Sequence, residues 1–284
     1  MSDIVSAAAP ARSGLPWALW KAQLLAVLRL ELRKGFRRPW GLVLLALAPI
    51  FILVLRLLIP RAVDDPSDIA EATTFFAGVY QAFSLRIVIF LACVAVFGNL
   101  IRREVLDRSL HYYFLSPMRR ELLVVGKYLT GLIVTFVLFG LATVGAFFLA
   151  YLPHESTAVQ RFLFQGPGLG HLGAYLLVTF LACVGYGAVF LAFGFFFKSP
   201  ALPALAFFGW EGIHFLLPPL LKKFSVIHYL QSLCPVPLDE GPIAMLSDAP
   251  SPWVAIPGVI VMAAVLIALS AWKIRTMEVS YEEE

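Results

Sequence analysis

Charge is scarce in this chain. Asp, Glu, Lys and Arg make up 14% of its 284 residues, where a soluble globular domain carries about a quarter. Hydrophobic residues make up 60% and the mean hydropathy is +0.85, which excludes an ordinary soluble domain and points to an integral membrane protein. Cysteine is equally sparse: Cys93, Cys183 and Cys234 show no metal-ligand spacing. Cys93 and Cys183 fall in apolar runs, where cysteine behaves as a small hydrophobe. HExxH, GxSxG and CxxC are all lacking, and with them the metalloprotease, serine-hydrolase and dithiol signatures. The five histidines, His111, His154, His171, His214 and His228, are scattered. A Walker A loop is lacking as well. The only Gly-Lys step is Gly126-Lys127, with Tyr128 after it and Glu121 where the first glycine belongs. No ATP, metal or other cofactor is therefore expected on this chain. The net charge of +4 is no nucleic-acid signal, because the bases sit beside apolar runs and not on one long patch.

What the chain has in abundance is long apolar runs. Their lengths suit spans of a hydrocarbon core about 30 Å thick, and six are expected, over about residues 40–59, 77–101, 125–152, 172–197, 201–221 and 253–272. Residues 1–14 are polar and Ala-rich and read as disordered, with no signal peptide evident. Residues 15–38 read as an amphipathic helix. Trp17, Trp20, Leu24, Leu25, Leu28 and Leu32 make its apolar stripe, and Lys21, Arg29, Arg33, Lys34, Arg37 and Arg38 lie mostly off it. A basic helix with tryptophan on its apolar side lies in the membrane interface. The run over 201–221 is unusual in holding Pro203, Glu211, His214, Pro218 and Pro219. Beyond it, residues 222–252 form an external stretch whose apolar pieces, Val226–Leu233 and Ile243–Leu246, are too short to cross and suit re-entrant or interfacial helices. With the amino terminus inside, sixteen Lys and Arg fall in cytoplasmic segments. Four (Arg61, Arg161, Lys222 and Lys223) fall outside. That is a positive-inside bias, and an even number of spans puts both termini in the cytoplasm.

Two kinds of residue stand out as functional candidates. Inside the spans, Arg86, Glu211 and His214 are polar, and a charge in hydrocarbon calls for a partner or a water-filled cavity. Glu211 is expected to face a subunit interface or polar cavity, paired with Arg86 or Arg56, or else to be protonated and bonded to a neighbouring helix; either arginine has the alternative of snorkelling outward. Glu211 and His214 share a helix face and would serve a rival reading, a polytopic membrane enzyme or a non-transporting anchor. Runs such as Phe195-Phe196-Phe197 suit either lipid-facing packing or a greasy path for an amphipathic substrate. Between the second and third spans lies the other candidate, GNLIRREVLDRSLHYYFLSPMRRELLVVGK from Gly98 to Lys127, with six Lys and Arg. Leu106, Leu110, Tyr113 and Phe114 recur at helical spacing, and Ser116-Pro117 ends that helix. Its apolar face rests on headgroups or on a soluble partner.

Glu104, Arg108, Ser109, Leu110, Leu115, Ser116, Pro117, Gly126 and Lys127 resemble the cytoplasmic loop of type-2 ABC exporter permeases. There a Glu, a Gly-or-Ser-plus-Leu step, a Leu-(Ser)-Pro and a Gly-Lys lie between the second and third spans. The resemblance extends loosely over about residues 15–280 through the interfacial helix, the six spans and the short helices after the fifth. It implies an all-α polytopic membrane protein of the cytoplasmic (inner) membrane, whose loop forms a coupling helix against an ATP-binding subunit. Arg103, Glu104, Asp107, Arg108, Tyr112, Leu115, Ser116 and Pro117 are the expected contacts. The implied partners are two ATP-binding subunits carrying ATP and Mg, a second permease copy (a homodimer) or a related permease, and the bilayer. The family handles drugs, antibiotics, peptides, lipids and polysaccharide precursors, and the residues do not choose among these.

Overall fold

A computed structural model describes residues 17–35, 47, 49–54, 69–100, 119–152, 154–197, 199–237 and 250–276, and every regular element among them is helical. The elements are α1 (Trp17–Gly35), α2 (Ile69–Phe97), α3 (Arg120–Tyr151), α4 (Ser156–Phe164), α5 (Gly168–Phe196), α6 (Ala201–Gly212), α7 (Val226–Gln231) and α8 (Pro252–Thr276). Four of them, α2, α3, α5 and α8, are long and apolar enough to cross a membrane. The expected amino-terminal tail and the whole of 103–117 lie outside the described residues. Of the expected first span, residues 47 and 49–54 are described and helical. Ile52 is buried, Phe51 stacks on Phe83 of α2 at 3.8 Å, and Pro49 lies against Gly145 of α3.

The bundle is built around α5. In its most apolar window 78% of residues are buried, against 22% for α8. Small residues explain this: Ala182, Cys183, Gly185, Gly187, Ala188 and Ala192 line α5 and are all buried. Without bulky side chains a helix backbone can be approached from several sides, which is how helices pack where lipid supplies no hydrophobic drive. At one crossing the ring of Phe97, from α2, fills a slot between two glycines. A Cβ on Gly131 of α3 would stand 2.6 Å from that ring, and one on Gly187 of α5 2.7 Å. Hydroxyl groups add interhelical bonds. Tyr80 on α2 donates to the Tyr175 carbonyl at 3.0 Å and pairs with Thr179 at 2.8 Å, and Thr179 pairs with Thr143 of α3 at 3.2 Å. Tyr128 of α3 donates to the Val184 carbonyl of α5 at 2.9 Å.

Three elements differ from the sequence expectation. The helix α2 begins at Ile69, and its residues Tyr80–Ile89, Arg86 among them, are π-helical. Nine residues between the third and fourth expected spans form α4, with Leu163 buried and Val159 and Phe162 packed on the core. The fifth apolar run is broken. The 12 residues of α6 reach about 18 Å at about 1.5 Å per residue, well short of a hydrocarbon core of about 30 Å. A 3-10 turn (His214–Leu216) and a single helical turn (Pro219–Lys222) follow. Proline is the reason: Pro218 drives Leu217 into extended backbone (ψ 145°) and Pro219 can only start a helix.

The outward surface is apolar along α8, where Val254, Ile260, Val261, Val265 and Leu269 are exposed, with Trp253 and Trp272 at the two ends. The tryptophans stand nineteen positions apart, about 29 Å along a helix, which matches a hydrocarbon core of about 30 Å.

Candidate functional site

Glu211 lies in the last turn of α6, and its side chain is buried. Its carboxylate faces the start of α7. Oε1 accepts the Val226 N–H at 2.8 Å; Oε2 accepts the Ile227 N–H at 3.0 Å and the Ser225 hydroxyl at 2.9 Å. The first N–H groups of a helix have no partner within it, and negative charge is favoured there. Glu211 thus caps a helix that begins fifteen residues downstream. The helix it caps is seated deep: Val226, Ile227 and Leu230 are fully buried, packed on α5 and α8. His214 is buried too, but its Nδ1 lies 3.1 Å from the Glu211 backbone oxygen and not from the carboxylate. The two side chains therefore do not form an acid–base dyad here.

Both carboxylate oxygens of Glu211 are engaged within the chain. Arg86, half-buried in the π-helical stretch, and Tyr186 of α5 lie within electrostatic reach of Glu211. Arg56 lies outside the described residues. The recess of about 300 Å³ lined by Ile69, Ala158, Arg161, Phe162, Gln165 and Gly166 includes none of these groups. Among the described residues no group of three or more His, Cys, Asp or Glu is placed to hold a metal ion.

A second cluster lies at the start of α3, directly after the 101–118 stretch. Arg119 places its guanidinium 4.3 Å from the centre of the Trp20 ring on α1. Two turns on, Gly126 meets Val27 of α1 so closely that a Cβ would stand 2.8 Å from the Val27 side chain. Beside it, the fully buried Lys127 pairs with Glu31 of α1 at 3.4 Å. The other side of the same helix start holds α8, because Glu121 forms an ion pair with Arg275 and Arg120 reaches the Arg275 carbonyl at 3.4 Å. The ends of α1, α3 and α8 are thereby joined within nine residues of α3.

The docked face of α1 takes in most of the stripe expected from the sequence: Trp20, Leu24, Leu28 and Leu32 are half-buried, the buried Val27 and Glu31 join them, and only Trp17 and Leu25 of the stripe are exposed. Glu31 was not legible as a site residue, since a lone acid in a basic helix reads as solvated surface. The signal that it is more lies 96 positions away, in Lys127 within an otherwise apolar segment. Arg103, Glu104, Asp107, Arg108, Tyr112, Leu115, Ser116 and Pro117, the expected partner contacts, all lie outside the described residues.

Long apolar helices packed through small residues, with tryptophans at both ends of α8, define a multi-pass membrane protein. The chain belongs to the ABC-2 family of transporter proteins: that family's model matches residues 27–209, well over half of the sequence. The match runs from Val27, midway along α1, through most of α6, takes in the Val27–Gly126 and Glu31–Lys127 contacts and the glycine slot, and makes the chain a membrane permease of an ABC transporter. No curated protein matches it.

Proposed function

We propose that this chain is the transmembrane permease subunit of an ATP-driven exporter in the cytoplasmic membrane, powered by a separate ATP-binding subunit. Membership of the family carries the reading, and the joint at Arg119–Lys127 supports it. A force applied to the 101–118 stretch emerges at Arg119, where α1, α3 and α8 meet. In this reading the bundle has six spans. Four are the long helices, one is built around residues 49–54, and one begins with α6. Both termini lie in the cytoplasm, in keeping with the bias of Lys and Arg. Two copies pair as a homodimer, and two ATP-binding subunits dock on residues 103–117 of the two loops, with Arg103, Glu104, Asp107, Arg108, Tyr112, Leu115, Ser116 and Pro117 at the contact. ATP and Mg reside on the partner. ATP binding closes the ATPases, the loops act as levers, and the helices shift between inward-open and outward-open arrangements.

The test is affinity capture of the tagged chain from native membranes in mild detergent, with mass spectrometry of what accompanies it. The expected companion is a stoichiometric polypeptide carrying a Walker A sequence. Arg108→Glu is expected to lower ATP turnover by the captured complex while leaving membrane insertion intact. Capture of an intact permease with no ATPase would overturn the reading.

A further inference from the structure

We propose that Glu31 and Lys127 are positioning residues for transport: their buried ion pair makes α1 and the start of α3 a single rigid strut. The proposal rests on the exporter reading above. Three of the contacts that join the two helices fall in the same order along both. Trp20 meets Arg119, Val27 meets Gly126, and Glu31 meets Lys127. The first two are seven residues apart on each partner, so the helices run in the same direction and keep step for two turns. The third lies one turn beyond Val27 on the same stripe of α1, and it is the one made of charge.

The chemistry of the third contact distinguishes a registering role from mere adhesion. Lys127 has no exposed surface and Glu31 very little. A buried ion pair adds little net adhesion, because desolvating two charges offsets their attraction, and well-packed apolar residues hold surfaces together as well or better. What a charge pair adds is a penalty for other registers, since sliding or rotating α1 parts the buried Glu31 from Lys127. A helix that only had to lie on the bundle would need no such pair. A helix that must follow α3 through a conformational cycle does.

The test uses the complex captured with its own ATPase in phospholipid nanodiscs, with ATP as the only probe. The single variants Glu31→Gln and Lys127→Met are expected to retain the bound ATPase while losing about fivefold or more of the ATP turnover. The exchanged variant, Glu31→Lys with Lys127→Glu, is expected to recover most of the lost rate. Spin labels at Arg29→Cys on α1 and Ile133→Cys on α3, both exposed positions, give a second readout that does not depend on any variant of the pair folding. Their separation is expected to be the same without nucleotide and with ATP–vanadate trapped. A change of about 5 Å, the size of a one-turn slip, would overturn the strut, and so would wild-type turnover in the single variants with the ATPase bound. A wild-type complex with no ATPase at all would instead overturn the exporter reading on which the strut depends.

Discussion

The carboxylate of Glu211 accepts the backbone N–H of Val226 at 2.8 Å, across a chain that breaks twice between them. The apolar run therefore folds back on itself, and the charge in the last turn of α6 becomes the cap of α7. Its second oxygen takes Ser225 and Ile227, so loss of the side chain strands several buried donors at once.

From that geometry, Glu211→Ala is expected to destabilise the protein by about 2–4 kcal/mol, because an unsatisfied buried donor costs about 1–3 kcal/mol. Glu211→Gln keeps one carbonyl oxygen and should cost less. Thermal unfolding of the detergent-solubilised protein ranks the two. Equal melting temperatures for the Ala variant and the wild type would mean that the cap contributes nothing.

The slot around Phe97 leads to a packing prediction. Gly131→Ala and Gly187→Ala each place a methyl group well inside contact distance of the ring, and overpacking of this kind costs about 1–3 kcal/mol. Phe97→Leu combined with Gly131→Ala should recover stability relative to Gly131→Ala alone. If the double variant is worse by the sum of the two single changes, the residues are not in contact.

The two ion pairs at the start of α3 should respond differently to loss of a partner. Arg275 and Glu121 are 63% and 29% exposed at their side chains. Pairs of that kind contribute about 0–1 kcal/mol and are screened by salt. Arg275→Ala is therefore expected to shift the melting temperature little, and less still in high salt. Lys127→Ala removes the buried ammonium that pairs with Glu31, a loss of about 3–5 kcal/mol that salt should not relieve. Comparable losses for both variants would contradict the burial that separates the two pairs.

The tryptophans of α8 offer a direct measure of membrane placement. In variants that retain only Trp253 or only Trp272, fluorescence should be quenched by lipids brominated near the headgroups and spared by lipids brominated near the chain ends. Strong quenching of either one by deep bromines would move that end of α8 away from the interface.

The class of protein was legible in the residues, because scarcity of charge and runs of about twenty apolar residues leave few alternatives to a helical membrane protein. The basic 101–118 stretch and the Gly126-Lys127 step marked the region that the family match includes. Pro218 and Pro219 already signalled trouble for a straight fifth span. Which helix faces meet could not be read that way and came from the packing. In an all-apolar helix the periodicity that marks a buried side in water is lost, since lipid and core make the same demand. Hence the central place of α5, and the glycines that seat Phe97, became visible only in packing. Glu31 and Lys127 lie far apart in sequence, as do the Glu211 carboxylate and its distant cap, and no local spacing announces either pairing. In a low-dielectric interior a charge must be answered by something, but that rule does not name the partner.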